Sequence, residues 1–307
     1  MDWRPASSDH GRAFLELEEL VKLLACPVCK APVTRMEDDL VCSRCSRGYV
    51  ITTDGVPIML SDASKEMVER SLRNSPIPPP RSRNPSLAKR IVRRILTPPS
   101  SSLNTSLARI KELFDDNLTI DSKVLFIGGL RKTDKRLFGG YKAVVLDITP
   151  DYDIVGDGHQ MPFLEGSFDG VVLQAVLEHV PHPDLIVMEA RRVLKKGGVI
   201  YVSVPFVQTY HYGPLDYQRY TITGIETLLS DFRKLKIGVA AGPSTALAWV
   251  LRNFIVSFSD NWHMRAVLDF FAGWLVFPLK FADFYLVRKR NAFVGAAAVY
   301  YVGTKVR

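Results

Sequence analysis

Four cysteines are the entire thiol content of this 307-residue chain, and they fall as Cys26-Pro27-Val28-Cys29 and Cys42-Ser43-Arg44-Cys45, two C-x-x-C pairs separated by twelve residues. Each such turn presents two thiolates to one side, and two of them make a closed tetrahedral four-sulfur site that suits structural zinc. A closed site has no open coordination position, so its metal stabilises a small fold and performs no catalysis. A redox motif needs only one pair, and with every cysteine in one pattern nothing points to a disulfide framework.

A second set of chemically capable residues lies between positions 123 and 221. Gly128-Gly129 follows the apolar run Lys123 to Ile127 and suits a tight turn. Asp147 closes Val144 to Leu146 nineteen residues after Gly128, close to the interval of about twenty at which an acid meets a ribose in doubly wound folds. Its two oxygens match two vicinal hydroxyls, and a strand-end turn is the structural alternative. His179 is a candidate proton acceptor, because imidazole titrates near neutrality, with loop shaping as its alternative. His211, Asp216, Arg219 and three tyrosines crowd the stretch His211 to Thr221 and offer a base, an anion, a donor fork and aromatic faces. The alternative is that Tyr217 and Tyr220 pack the loop and Arg219 pairs with Asp216.

The elements that must position these groups read as α/β. Val144–Leu146, Phe168–Leu173 and Val199–Val204 are short, Val- and Ile-rich runs that suit buried parallel strands, and ligands in such sheets bind outside the strands' carboxyl ends. Asp184 to Lys195 is expected to be a helix with Leu185, Ile186, Met188, Ala190, Val193 and Leu194 on one face, closed by Lys195, Lys196 and Gly197. A helix over Asn104 to Asn117 precedes the first strand, Lys123 to Ile127, and a short strand at Asp153 to Val155 precedes Asp157. The last strands are Leu235 to Ala241 and Ala296 to Val302. Between them lie about fifty residues with two aromatic-rich helical segments, Leu247 to Phe258 and Trp262 to Phe284, apolar around most of their circumference.

The residues Asp157, Gly158, Met161-Pro162-Phe163, Ser167-Phe168-Asp169, Leu177-Glu178-His179-Val180, Arg192-Val193-Leu194-Lys195 and Gly197-Gly198 resemble the class I S-adenosylmethionine (SAM)-dependent methyltransferases, in the methyltransferase type 11 branch. The resemblance implies a Rossmann-like seven-stranded sheet with helices on both faces, and SAM as cofactor. It implies that Gly128 and Gly129 form the turn beneath the cofactor, that Asp147 and Ile148 meet the ribose, and that Asp157 and Gly158 meet the adenine. Gln174 would stand near the departing methyl group, with His179 and His211 for proton transfer. Where the family carries an acid and two further glycines, this chain has Phe126, Leu130 and Lys132. The cysteine segment, with Gly48 to Thr52 and Asp54 to Leu60, is similar to the small zinc-ribbon proteins that partner and activate tRNA and translation-factor methyltransferases. That likeness implies docking onto the catalytic domain.

These readings divide the chain into a zinc ribbon over 14–62, a basic proline-rich linker over 63–103 and a methyltransferase domain over 104–307 with a helical insertion at about 243–293. A short amphipathic helix is expected inside the linker, from Leu87 to Leu96. A hydrophobic content of 47% with 23% charged residues suits a packed globular protein. The net charge of +8 is local: residues 70–94 carry eight Lys or Arg and no acid, so the remainder is close to neutral. Such a run is a solvated tether or a phosphate contact. Met1 to His10 is polar and the next apolar stretch is broken by acids, so a cytoplasmic location is expected, with membrane association left open by the aromatic segments. The same segments could serve as a lid or a homodimer face. The reading adopted is methyl transfer to a small-molecule, lipid-linked or glycan acceptor. Its rivals are an RNA methyltransferase that grips phosphate through the ribbon and linker, and a non-catalytic scaffold on the same fold.

Overall fold

The computed structural model describes residues 15–37, 39–73, 106–130, 138–211 and 215–306. Lys132 and the helix expected at Leu87 to Leu96 fall outside them. Eleven strands form two sheets among these residues. The N-terminal sheet is an antiparallel meander of β1 (Val33–Met36), β2 (Asp39–Cys42) and β3 (Gly48–Val50). The large sheet takes β4 (Ile58–Met59), β5 (Lys123–Ile127), β6 (Lys142–Asp147), β7 (Ile154–Gly156), β8 (Phe168–Gln174), β9 (Leu194–Pro205), β10 (Arg233–Ala241) and β11 (Ala298–Thr304). Its order is β10-β11-β9-β8-β5-β6-β7-β4. All neighbours are parallel except β11, which runs against both β9 and β10.

The expected seven strands are present in β5 to β11, and the sheet gains an eighth from the cysteine-bearing segment. Ile58 and Met59 pair with Val155 and Gly156 and so cover the edge that β7 would otherwise leave open. Alternation along each strand builds two cores. Leu125, Ile127, Val144, Leu146, Val171, Leu173, Ile200 and Val202 face one side, and Val124, Phe126, Ala143, Val145, Val172 and Tyr201 face the other. Helix α3 (Ser106–Asp115) covers the second face with Ile110, Leu113 and Phe114, after α1 (Leu17–Val21) and α2 (Asp62–Arg73) in the N-terminal region. Phe126 also belongs to that face, with its ring 4.9 Å from Phe138. The position where the family carries an acid is therefore hydrophobic core here.

Helix α4 (Pro183–Val193) covers the first face. It ends at Val193, and Leu194, already extended and paired with Phe168, begins β9, which from Val199 on lies between β8 and β11. Proline at its first turn sets its phase. Ile186, Val187, Ala190 and Val193 point inward, while Leu185 and Met188 of the expected face are exposed. The polar stretch after Ser61, read as the start of a linker, begins instead as α2, whose first turn is capped by Ser61 Oγ accepting from the Ser64 amide at 3.1 Å.

The ribbon segment docks on the sheet domain through the backbone and through one charged cluster. Ala25 N donates to Pro162 O at 3.0 Å and Leu164 N to Leu23 O at 2.9 Å, with Leu20, Leu24, Tyr49 and Met59 in the same core as Met161, Phe163 and Phe168. Beside them Glu189 accepts from Lys30 Nζ at 2.7 Å and from Arg192 Nε at 2.6 Å, and Arg192 also donates to Phe163 O. Burial would raise the Glu189 pKa, but the bonds from Arg192 and Lys30 outweigh it and hold the carboxyl below its usual range. The stability this adds is complete above the ordinary glutamate value and is lost as pH falls through the lowered folded value. Glu189→Ala is expected to cost about 2 kcal/mol, since it strands two cations at a partly exposed interface. The gap between variant and parent in chemical denaturation should start to narrow below the ordinary glutamate value and close as pH falls past the lowered folded one; a gap that stays undiminished down to the acid limit of the folded protein would refute the assignment.

The insertion between β10 and β11 folds as α6 (Pro243–Val256) and α7 (Trp262–Val276), following α5 (Ile222–Leu228), and returns through short helical turns to β11. Buried Asp283 ties it down, accepting from Ser244 N and Thr245 N at 2.9 Å each and from Thr245 Oγ1 at 2.6 Å. Arg252 grips Asp269 with two bonds of 2.7 Å between the two helices. Their outer surface leaves Phe254, Phe258, Trp262, Phe271, Trp274 and Leu275 exposed. Among the described residues, no helix is long and apolar enough to cross a membrane.

Candidate active site

β5 and β8 lie side by side, and from them the chain order runs outward in opposite directions. That switch point leaves a crevice at the strands' carboxyl ends. A cleft of about 380 Å³ opens there, within the usual range for small-molecule sites. Gly128, Asp147, Ile148, Asp157, Gly158 and His179 all line it. Gly129, Gln174 and His211 lie outside its lining: Gly129 follows Gly128 in the turn, Gln174 pairs with Ser203 at the end of β8, and His211 lies beside His179 with ring centroids 4.7 Å apart and planes tilted by 51°.

Each lining residue is held by its strand end. Gly128 and Gly129 take φ of +80° and +94°, a region that favours glycine. A side chain at Gly128 would meet Val176 Cγ2 at 2.4 Å, and one at Gly129 would meet the Tyr152 hydroxyl at 2.7 Å and Asp147 Oδ2 at 3.4 Å. The cradle thus exists only because both positions lack Cβ. Asp147 Oδ1 accepts from Thr149 N at 2.9 Å and Thr149 Oγ1 at 3.0 Å, which fixes the carboxylate; burial pushes its pKa up. Ala175 adopts φ +54° where β8 ends, a strained conformation of the kind that collects at binding sites.

Asp157 is more heavily engaged than its motif suggests. Oδ1 accepts from His159 N at 2.9 Å and from His159 Nδ1 at 2.7 Å, and Oδ2 accepts from Ser64 Oγ at 2.7 Å. Burial opposes ionisation, but these bonds outweigh it and keep the group below the usual carboxylate range. A carboxylate has about four acceptor positions, so three donors leave room for about one more. Met67 and Val68 of α2 form a wall of the cleft, and Ser64 of the same helix holds Asp157. Sequence reading missed them, although the Ser61 cap and the Met67-Val68 pair were available as signals.

The loop after β9 closes over the segment 177–180. Tyr217 N donates to Glu178 O at 2.7 Å, and Gln218 Nε2 donates to Leu177 O and Val180 O at 3.0 and 3.1 Å. Arg219 pairs with Asp216 and donates to Thr209 O and Gln208 O, so its fork braces the loop from within. Tyr220 is buried, and Tyr217 is exposed. His179 Nδ1 contacts Leu215 O at 2.6 Å, which makes it the protonated nitrogen and leaves Nε2 with a lone pair. Burial, and the proximity of His179, hold the His211 pKa below the ordinary value. Glu178 is fully buried, and that burial pushes its pKa up to about 7.

The four cysteines meet at the far side of the ribbon. Sγ–Sγ distances are 3.8 Å for Cys26–Cys45, 3.4 Å for Cys29–Cys42 and 3.8 Å for Cys29–Cys45. Four sulfurs about 2.3 Å from a tetrahedral ion lie about 3.8 Å apart, so the set fits zinc. Lys30 and Ser46, each just after its C-x-x-C, take φ of +59° and +55° where the knuckles turn. The Tyr49 hydroxyl stands 3.0 Å from Cys26 Sγ.

Comparison with known proteins agrees with both halves. The family model described as a methyltransferase domain matches residues 137–202, and that of the Trm112p-like proteins matches residues 18–53. The UPF0434 protein of Coxiella burnetii (strain Dugway 5J108-111) is 38% identical over 53 residues, 17% of this chain and 93% of the relative. The uncharacterized protein MJ1123 of Methanocaldococcus jannaschii is 37% identical over 51 residues, 17% of this chain; the match spans a quarter of that relative's length. Among solved structures, Haemonchus contortus phosphoethanolamine N-methyltransferase 2 with SAM overlaps at TM-score 0.45 and 14% identity, covering 66% of this chain and 53% of the other. The complex of the Haloferax volcanii Trm112 methyltransferase activator with a methyltransferase gives TM-score 0.42 and 14% identity over 66% and 91%. The chain belongs to the UPF0434 family over the 53 residues it shares with that relative, and it matches the Trm112p-like model over residues 18–53 and the methyltransferase-domain model over residues 137–202.

Proposed function

We propose that this protein transfers the methyl group of SAM to a small or lipid-linked acceptor at a membrane surface, and that its four thiolates hold structural zinc. The observation that carries the reading is the convergence of Gly128, Asp147, Asp157 and His179 on one cleft at the sheet's switch point. SAM, when bound, supplies an electrophilic methyl carbon on a sulfonium. Asp147 offers acceptor oxygens to the ribose hydroxyls. Gly128 and Gly129 let the backbone come close to the methionine portion, and Asp157 with Gly158 borders the adenine. The imidazoles of His179 and His211 are the proposed proton acceptors for an acceptor hydroxyl or amine, with His179 Nδ1 held by Leu215 O. Aligning the acceptor is the protein's main task in such a displacement.

Calorimetry of SAM and S-adenosylhomocysteine on the zinc-loaded protein tests this. Micromolar binding is expected, weakened about 100-fold or more in Asp147→Ala through loss of charge-assisted bonds. No binding to folded protein would move the weight to a scaffold without catalysis.

The membrane part rests on the outer face of α6 and α7. Phe258 is 73% exposed and Phe271 65%. Lys280 lies 4.2 Å from the Phe277 ring and Lys289 3.9 Å from the Tyr285 ring, an aromatic and cationic pairing that suits anionic headgroups. Sedimentation with phosphatidylglycerol vesicles is expected to carry the protein down, and Phe258→Asp with Phe271→Asp to release it. Protein that stays in the supernatant but shows a concentration-dependent mass would assign the face to a homodimer. Salt-sensitive binding to RNA in place of vesicles would favour the nucleic-acid reading.

A further inference from the structure

Beside the cleft, Glu178, His179 and His211 bring three ligand-capable atoms within 4.8 Å of one another. The two histidines arrive from different loops, one after β8 and one after β9, so the meeting is made by the fold. Glu178 Oε1 lies 3.8 Å from His179 Nε2.

Three features set this cluster apart from ordinary loop packing. Glu178 has no exposed surface, and neither of its carboxylate oxygens has a hydrogen-bond partner among the described residues. A buried carboxyl left this way is costly unless something else meets it. His211 Nδ1 is likewise buried and without a hydrogen-bond partner. His179 has its Nδ1 on the Leu215 carbonyl, the outer bond that orients a metal-binding imidazole and frees Nε2. The charge of Arg219, which reaches the cluster, is already neutralised by Asp216.

We infer that Glu178, His179 and His211 form a second metal site, taking a divalent transition ion. Two imidazoles and one carboxylate are a borderline donor set that suits manganese, iron, cobalt or zinc better than calcium or magnesium. Ligand atoms around an ion at about 2.1 Å sit roughly 3.0–3.5 Å apart, so the three must draw together by about 1 Å. Three protein ligands leave positions open, unlike the closed four-thiol site. Of the three, His179 lines the cleft, so an ion on its Nε2 would stand beside the space where an oxygen donor of the methyl acceptor could complete the shell. The inference rests on the proposed function and changes one role in it: an imidazole nitrogen bound to an ion accepts no proton, so with the ion present the pair would hold the acceptor through it instead of serving as bases.

The test uses the full chain with its thiol site filled with zinc. Mn(II) is titrated by electron paramagnetic resonance, and Co(II) by visible absorption, with S-adenosylhomocysteine binding measured by calorimetry on the same sample. One further equivalent of Mn(II) or Co(II) is expected, with Co(II) showing ligand-field bands and no thiolate charge-transfer band. Glu178→Gln and His211→Asn should each weaken that binding by at least about tenfold, with zinc content and S-adenosylhomocysteine affinity unchanged. His211→Asn stands alone if the buried Glu178→Gln variant does not fold. No second equivalent on protein that binds S-adenosylhomocysteine, or Mn(II) affinity unaltered in both variants, overturns the site. Metal binding without S-adenosylhomocysteine binding would uphold the site and overturn the SAM reading instead.

Discussion

Stripping the four-thiol metal, by a strong chelator or by Cys42→Ser, is expected to unfold the N-terminal segment and to weaken SAM binding together with it. The ribbon has three short strands and a handful of buried side chains, too few to fold unaided. Structural zinc in such modules contributes about 10–16 kcal/mol of apparent binding energy, which exceeds what so small a core supplies. The loss spreads because the segment shares the sheet domain's core: without it, Phe163 and Met161 lose Leu20, Leu24 and Met59 as neighbours. Ser64 then no longer donates to Asp157, and Met67 and Val68 leave the cleft wall. A dye assay for released zinc, run beside circular dichroism and SAM calorimetry, should show the three signals falling in step. Chelated protein with unaltered melting and SAM affinity would show that these thiols hold no stabilising metal.

Gly128→Ala is expected to destabilise the protein by about 2–5 kcal/mol and to lower SAM affinity at least tenfold. Two costs combine. Holding a non-glycine residue at φ +80° costs roughly 1–2 kcal/mol, and forcing a methyl carbon to 2.4 Å from Val176 Cγ2 adds an overpacking term of about 1–3 kcal/mol. The double variant Gly128→Ala with Val176→Ala separates them. It should recover the packing term and leave the backbone term, a non-additivity measurable by urea denaturation. A single variant as stable as the parent would mean that the turn is not held in this conformation.

Much of this arrangement could be read before any coordinates. The β5 boundaries, Lys123 to Ile127, coincide in sequence and structure because apolar strands with polar ends have little freedom of register. The cysteine pairs declared their meeting point through spacing alone. What escaped did so for physical reasons. A two-residue strand such as Ile58–Met59 has no period to detect, and its partner Val155 is nearly a hundred residues away. Helix α2 was hidden because its polar face dominates the composition after Ser61. Leu194 to Gly198 could end a helix or begin a strand, and the pairing of Leu194 with Phe168 decides. The Arg219–Asp216 pair was one of two readings the sequence offered, and the structure decides for it, with the fork also on Gln208 O and Thr209 O of its own loop. Glu178 was visible beside His179, but its isolation from hydrogen-bond partners appears only once the fold buries it.

The short strand Ile58–Met59 has a consequence for how the protein behaves on dilution. An uncovered β7 would present unpaired amides and carbonyls to any passing strand. Here the covering strand is tethered to the same chain, so its local concentration is set by chain length and not by how many molecules are present. The large sheet is thus finished at any expression level, with one cover supplied by each chain.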